Sequence, residues 1–233
     1  MKKILVFAAI LLLVQVGVGT AGPLANTKHD LHTGSTAAIK ATSPTVDNTC
    51  IFCHTTHNGT PGGAAPLWNH ALTSTVLKWA PATTVRGTTL PTDITSTALE
   101  GTRACMSCHD GTVALGSVLV YYNTATDTAA PATFTVTGTN TTGGKLASTS
   151  NAYMDPTHME KNHPLGVPLP AAKAGFSNYV ASDGGTGVWY RTSSNNLQYV
   201  QCQSCHDPHN TTNMPFLRIS NAGGAICSSC HNM

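Results

Sequence analysis

The longest unbroken apolar run of the chain stands near its start, from Ile4 to Val14, behind Lys2 and Lys3. Small residues follow through Ala21, the pattern of an export signal spanning 1–21 with cleavage predicted after Ala21. The run is too short, and too soon broken by Gln15, to span a bilayer, and no later stretch could cross one. Beyond it no long 3.6-residue periodicity develops, so helices are predicted to be short and local. Val118–Tyr122 and Ala132–Thr137 are β-prone runs separated by polar residues and proline. A further hairpin is predicted from Val188–Tyr190 through Ser193–Asn196 to Leu197–Val200. Pro61, Pro66, Pro81 and Pro91, with Gly62 and Gly63, predict irregular backbone between 60 and 91.

Against this sparse pattern the cysteines are highly ordered. All eight fall in four Cys-x-x-Cys-His words: Cys50–His54, Cys105–His109, Cys202–His206 and Cys227–His231. Two zinc sites of four thiolates, or four disulfides in an exported protein, would also use eight cysteines. Neither needs a histidine after every second cysteine. Histidine makes up 11 of 233 residues, so four such coincidences have odds of order one in 10⁵. The word is the attachment site of c-type haem. Cys50, Cys53, Cys105, Cys108, Cys202, Cys205, Cys227 and Cys230 would form thioethers to the vinyl groups. His54, His109, His206 and His231 would be the proximal iron ligands. Four haems c per chain are the predicted cofactors.

Composition now changes meaning. Removing 21 of 233 residues leaves 212 for four haems, too few to wrap four porphyrins and also build a sizeable separate core. The predicted fold class is a multihaem cytochrome c: irregular loops, short helices and a few short β-hairpins around a haem stack. A single tetrahaem domain is predicted over 22–233. It would place haems one and two in 22–117, a Thr-rich β-prone segment in 118–157, and haems three and four in 158–233. Only 9% of residues are charged, and loss of Lys2 and Lys3 leaves 10 basic against 10 acidic residues. Haem propionates would then make the holoprotein mildly acidic. No basic patch interleaved with aromatics is present, so nucleic acid is not an expected partner. Low surface charge permits self-association.

Four proximal histidines leave seven of the eleven for sixth positions: His29, His32, His57, His70, His158, His163 and His209. This surplus predicts bis-histidine iron at every haem, closed to substrate and suited to electron transfer rather than enzymatic bond-making. His57 and His209 each stand three residues after a proximal histidine, in Cys50–Asn58 and Cys202–Asn210. On a helical turn such residues share a face, so the second imidazole is predicted to serve a different haem. His163 and His29 complete the predicted distal set, with His70, His32 and His158 as alternatives. Trp68 is predicted to pack against a porphyrin. Met154, Met159 and Met214 are less favoured thioether ligands.

The words around the motifs carry a resemblance. Cys50-Ile-Phe-Cys-His-Thr-Thr-His-Asn, Pro66-Leu-Trp-Asn, Cys105-Met-Ser-Cys-His-Asp-Gly-Thr-Val and Phe216-Leu-Arg-Ile-Ser-Asn-Ala-Gly resemble the multihaem cytochromes of metal-reducing bacteria. The nearest resemblance is to the OmcE-like, filament-forming tetrahaem cytochromes of the outer surface. That resemblance implies an extracellular or cell-surface protein that polymerises, with one continuous haem stack. It also implies that His57 ligates a haem of the neighbouring subunit, although His70 or His32 would close that site within one chain. Other cytochromes and extracellular electron acceptors would be its partners. A soluble periplasmic tetrahaem shuttle is the alternative that the same motifs serve.

Overall fold

The computed structural model describes residues 24–59, 67–79, 84–85, 88–89, 100–123, 126, 128–159, 162, 165–166, 191–192 and 198–231. The export signal, His163, Pro61–Pro66 and the outer parts of the predicted 188–200 hairpin lie outside these residues.

The described elements run β1 (Ile39–Ser43), β2 (Thr84–Val85), β3 (Thr88–Thr89), α1 (Glu100–His109), β4 (Ser117–Asn123) and β5 (Thr128–Thr133). They continue with β6 (Thr135–Gly138), β7 (Thr141–Thr142), β8 (Lys145–Leu146), β9 (Arg191–Thr192), β10 (Gln198–Tyr199), α2 (Cys202–Cys205) and α3 (Ala225–Ser228). Short 3₁₀ turns cover Thr49–Phe52 and Ala222–Gly224. Every described α-helix includes cysteines of a haem motif, and every sheet is an antiparallel pair. This matches the expected loops, short helices and small hairpins. Among the described residues no helix is long and apolar enough to cross a membrane.

The two β-prone runs fold as the local sequence allows. β4 pairs with β5, with Val118 opposite Ala132 and Tyr121 opposite Ala130. The ladder is irregular between Val118 and Tyr121, and Pro131 falls there, where no ladder hydrogen bond is asked of it. Asn69 satisfies the backbone freed on the other strand. It is fully buried, its Oδ1 accepts from Val120 N (2.8 Å), and its Nδ2 donates to the carbonyls of Ile51 and Val120. Leu119 N adds a bond to the Asn69 carbonyl (2.8 Å). One side chain thus ties the sheet to the first haem motif.

The run Ala132–Thr137 does not form one strand. Phe134 interrupts it by donating its N–H to the Gly116 carbonyl (2.9 Å), and the chain passes to a second ladder. There β6 pairs with β1, Val136 opposite Ala41, a partnership the sequence pattern did not reveal. At the close of β7–β8, Gly143 and Gly144 take φ values of 57° and 75°, the left-handed pair that a two-residue hairpin turn favours.

Two apolar clusters result. One gathers Ala41, Val46, Phe52, Leu115, Val118, Phe134 and Val136, with Cys53 and Cys108 packed against it. Phe134 meets Phe52 and Tyr121 edge to face, at 5.6 and 5.1 Å between ring centres. The other gathers Leu77, Trp79, Met106, Met159, Leu165 and Tyr199, with Met154 and Cys202 against it. Helix α1 joins them, giving Met106 to one cluster and Cys108 to the other. Among the described residues each cluster holds six or seven buried residues.

Candidate haem sites

The first, third and fourth motifs each close in a tight turn through a bond from the histidine N–H to the first cysteine's carbonyl. In the first, Asn48 Oδ1 accepts from Cys50 N (2.9 Å) and His54 N donates to the Cys50 carbonyl (2.7 Å). The third and fourth repeat the closing bond, from His206 N to Cys202 O (3.0 Å) and from His231 N to Cys227 O (2.9 Å). The second motif is the C-terminal half of α1. In α2, Ser204 Oγ accepts from Gln201 N (2.9 Å), capping the short helix from within.

None of the eight cysteines is joined in a disulfide, and among the described residues no three His, Cys, Asp or Glu side chains are grouped to hold a metal ion. The disulfide and four-thiolate zinc arrangements are therefore not assembled. The thiols instead form a succession of electrostatic neighbours. Cys53 neighbours Cys108, Cys105 touches Cys202, and Cys205 neighbours Cys230 and Cys227. Burial pushes Cys53 and Cys108 up to about 12, and Cys205 up to about 11, so these sulfurs are protonated. Cys105 is also raised, first through its bond to Cys202, and the same contact lowers Cys202.

Backbone carbonyls orient two of the motif imidazoles. His109 Nδ1–H donates to the Ala152 carbonyl (2.7 Å), and His206 Nδ1–H donates to the Pro215 carbonyl (2.9 Å). A carbonyl can only accept, so each bond fixes the tautomer and leaves Nε2 with its lone pair. Burial lowers the pKa of His109, and it lowers that of His29 to about 4, with His109, His206 and His209 adding to the effect. Neutral imidazole is the form that binds iron. The donor set thus fits covalently attached haem: paired thiols, and histidines with an oriented free nitrogen.

Two histidine pairs face one another at closely similar separations. The ring centres of His54 and His209 are 6.0 Å apart with planes at 21°, and those of His29 and His109 are 6.1 Å apart at 76°. Trp68 stands edge-on to His54 at 6.3 Å, and its Nε1 is a buried donor without a protein partner. The helical premise behind His209 does not hold. The chain is already extended at His206 (ψ 142°), and a turn closed by Asn210 N to Asp207 O (2.9 Å) carries His209. His209 nonetheless faces a histidine of another motif.

The other candidates scatter. His57 is exposed, as is His158. His70 is fully buried, and both of its ring nitrogens contact carbonyl oxygens, of Ala71 (3.1 Å) and Ala114 (3.0 Å). It serves the packing between the first motif and β4. His32 Nδ1 bonds the buried Asp30 carboxylate (2.5 Å), which also accepts from Thr49 Oγ1 (2.6 Å). Met159 is buried in an apolar cluster with Met154 against it, and Met214 is exposed. Asn69, Asp30 and the carbonyls of Ala152 and Pro215 escaped sequence reading. Backbone carbonyls leave no residue signature, and a polar side chain reveals its partners only once folded.

The profile of a protein family described as a doubled CXXCH motif matches residues 197–233, which hold the third and fourth motifs. No curated protein matches the chain. The doubled motif supports a multihaem c-type cytochrome, a haem-binding electron-transfer protein rather than an enzyme.

Proposed function

We propose that the chain binds four bis-histidine haems c in the order of their motifs and conducts electrons along them as the repeating subunit of an extracellular filament. The observation that carries this reading is the spacing of the histidine pairs. Two metal–nitrogen bonds of about 2 Å, plus the ring radius on each side, place imidazole centres ~6 Å apart across one metal ion. His54 with His209, and His29 with His109, both stand at that distance. His209 is thus assigned to the first haem and His29 to the second. The succession of neighbouring thiols supports attachment sites that would hold their haems close to one another in motif order.

Iron held by two of these histidines would leave no site to a substrate, and the chemistry it would supply is electron transfer. The chain's residues attach each porphyrin by two sulfurs, orient the proximal rings through Ala152 and Pro215, and exclude water with the two apolar clusters. His163 and His57, with His32 and His158 as alternatives, remain for the third and fourth haems. The exposure of His57 supports its serving a haem of a neighbouring subunit. The alternative, a monomeric periplasmic shuttle, draws support from the His54–His209 pair, which closes within one chain. Electron microscopy of the purified holoprotein separates the two. Regular filaments are expected, and isolated particles at every concentration tested would reject polymerisation.

A further inference from the structure

We propose that Phe216 is a positioning residue that fixes the plane of the His29 imidazole, giving one haem crossed axial histidines while another has near-parallel ones. The proposal rests on the bis-histidine assignment above. Phe216 lies flat on the His29 ring, with centres 4.4 Å apart and planes only 2° from parallel. The phenyl ring is itself held fast. Phe216 is 6% exposed, its carbonyl accepts from Asp207 N (2.8 Å), and the next residue, Leu217, donates to Asn213 O (2.6 Å). Its φ of 59° is left-handed, a conformation a bulky side chain keeps only where its surroundings impose it.

The opposing ring is fixed independently, because His109 Nδ1–H is tied to Ala152. The 76° crossing at His29–His109 is therefore set by two separate elements, the loop after the third motif and the turn before Tyr153. His54 and His209, whose neighbours include Trp68 and Asp207 respectively, stand at 21°. Axial imidazole planes select which iron d orbitals receive π donation. Parallel planes split the two orbitals of π symmetry and give a rhombic ferric spectrum. Crossed planes leave them nearly degenerate, with a large orbital moment and a highly anisotropic signal.

Frozen-solution electron paramagnetic resonance of the oxidised full-length holoprotein reads this difference. Haem count and low-spin absorption are measured first, so that failure there strikes the bis-histidine reading and not the role of Phe216. In the four-haem wild type a highly anisotropic component holding at least about one quarter of the low-spin intensity is expected beside a rhombic signal. Phe216→Leu should convert that component to a rhombic one, and Phe216→Tyr, which keeps the stacked ring, should retain it. A wild-type spectrum lacking the anisotropic component overturns the proposal, whether or not the Leu variant folds. So does a Leu variant whose spectrum superimposes on wild type, or a Tyr variant that loses the signal as Leu does.

Discussion

At the residue scale, the side chains around the motifs divide by what their second nitrogen meets. His109 and His206 spend Nδ1 on a carbonyl, whereas His70 meets carbonyls with both nitrogens. The sequence could count histidines but not make that division, since it depends on which carbonyls the fold brings near. His209→Ala should leave four haems attached but turn about one quarter of them high-spin, as read in the absorption spectrum. Wholly low-spin iron in that variant would reject the pairing of His209 with the first haem. Asp30 supports the same region from below. Burial alone would raise its carboxyl, but hydrogen bonds from Thr49, His32 and Asn26 N–H outweigh it and hold the pKa below the usual range. A depressed carboxylate stabilises the fold above its ordinary pKa and ceases to do so as pH falls through the folded value. Asp30→Asn should therefore cost about 1–3 kcal/mol at neutral pH. That difference from wild type should shrink below about pH 4, as measured by denaturant titration at several pH values.

At the element scale, the strands show where local pattern suffices and where it does not. The β-branched and aromatic run Val118–Tyr122 falls within β4, as its composition dictates. The run Ala132–Thr137 was legible as extended but not as two strands, because the break at Phe134 depends on a distant carbonyl, that of Gly116. β1 was illegible: Ile39–Ser43 is a weak strand by composition and exists through pairing with β6. Gly116 is the tightest point of this layer. A Cβ there would lie 1.9 Å from the Phe134 backbone oxygen, a contact no side-chain rotation relieves. Gly116→Ala should lower stability by about 2 kcal/mol or more and reduce the thermal midpoint, with haem content preserved. An unchanged midpoint would show that the Phe134 crossing is not held as described.

At the scale of the whole molecule, motifs that are far apart in sequence come close together. Cys105 and Cys202 are separated by nearly a hundred residues yet touch, and His54 faces His209. The repeated motif announced the cofactor type without the structure; the adjacency of the sites required it. Self-association belongs to this scale as well. His57→Ala should abolish filaments while leaving the monomer with four attached haems, one of them lacking its sixth ligand. Normal filaments with fully low-spin iron would contradict that role. The number of haems per chain is the decisive quantity. Intact-protein mass spectrometry of the purified, reduced holoprotein measures it directly. A mass equal to the processed polypeptide plus four haems is the predicted result, and a chain carrying fewer haems, or none with its thiols free, would contradict it.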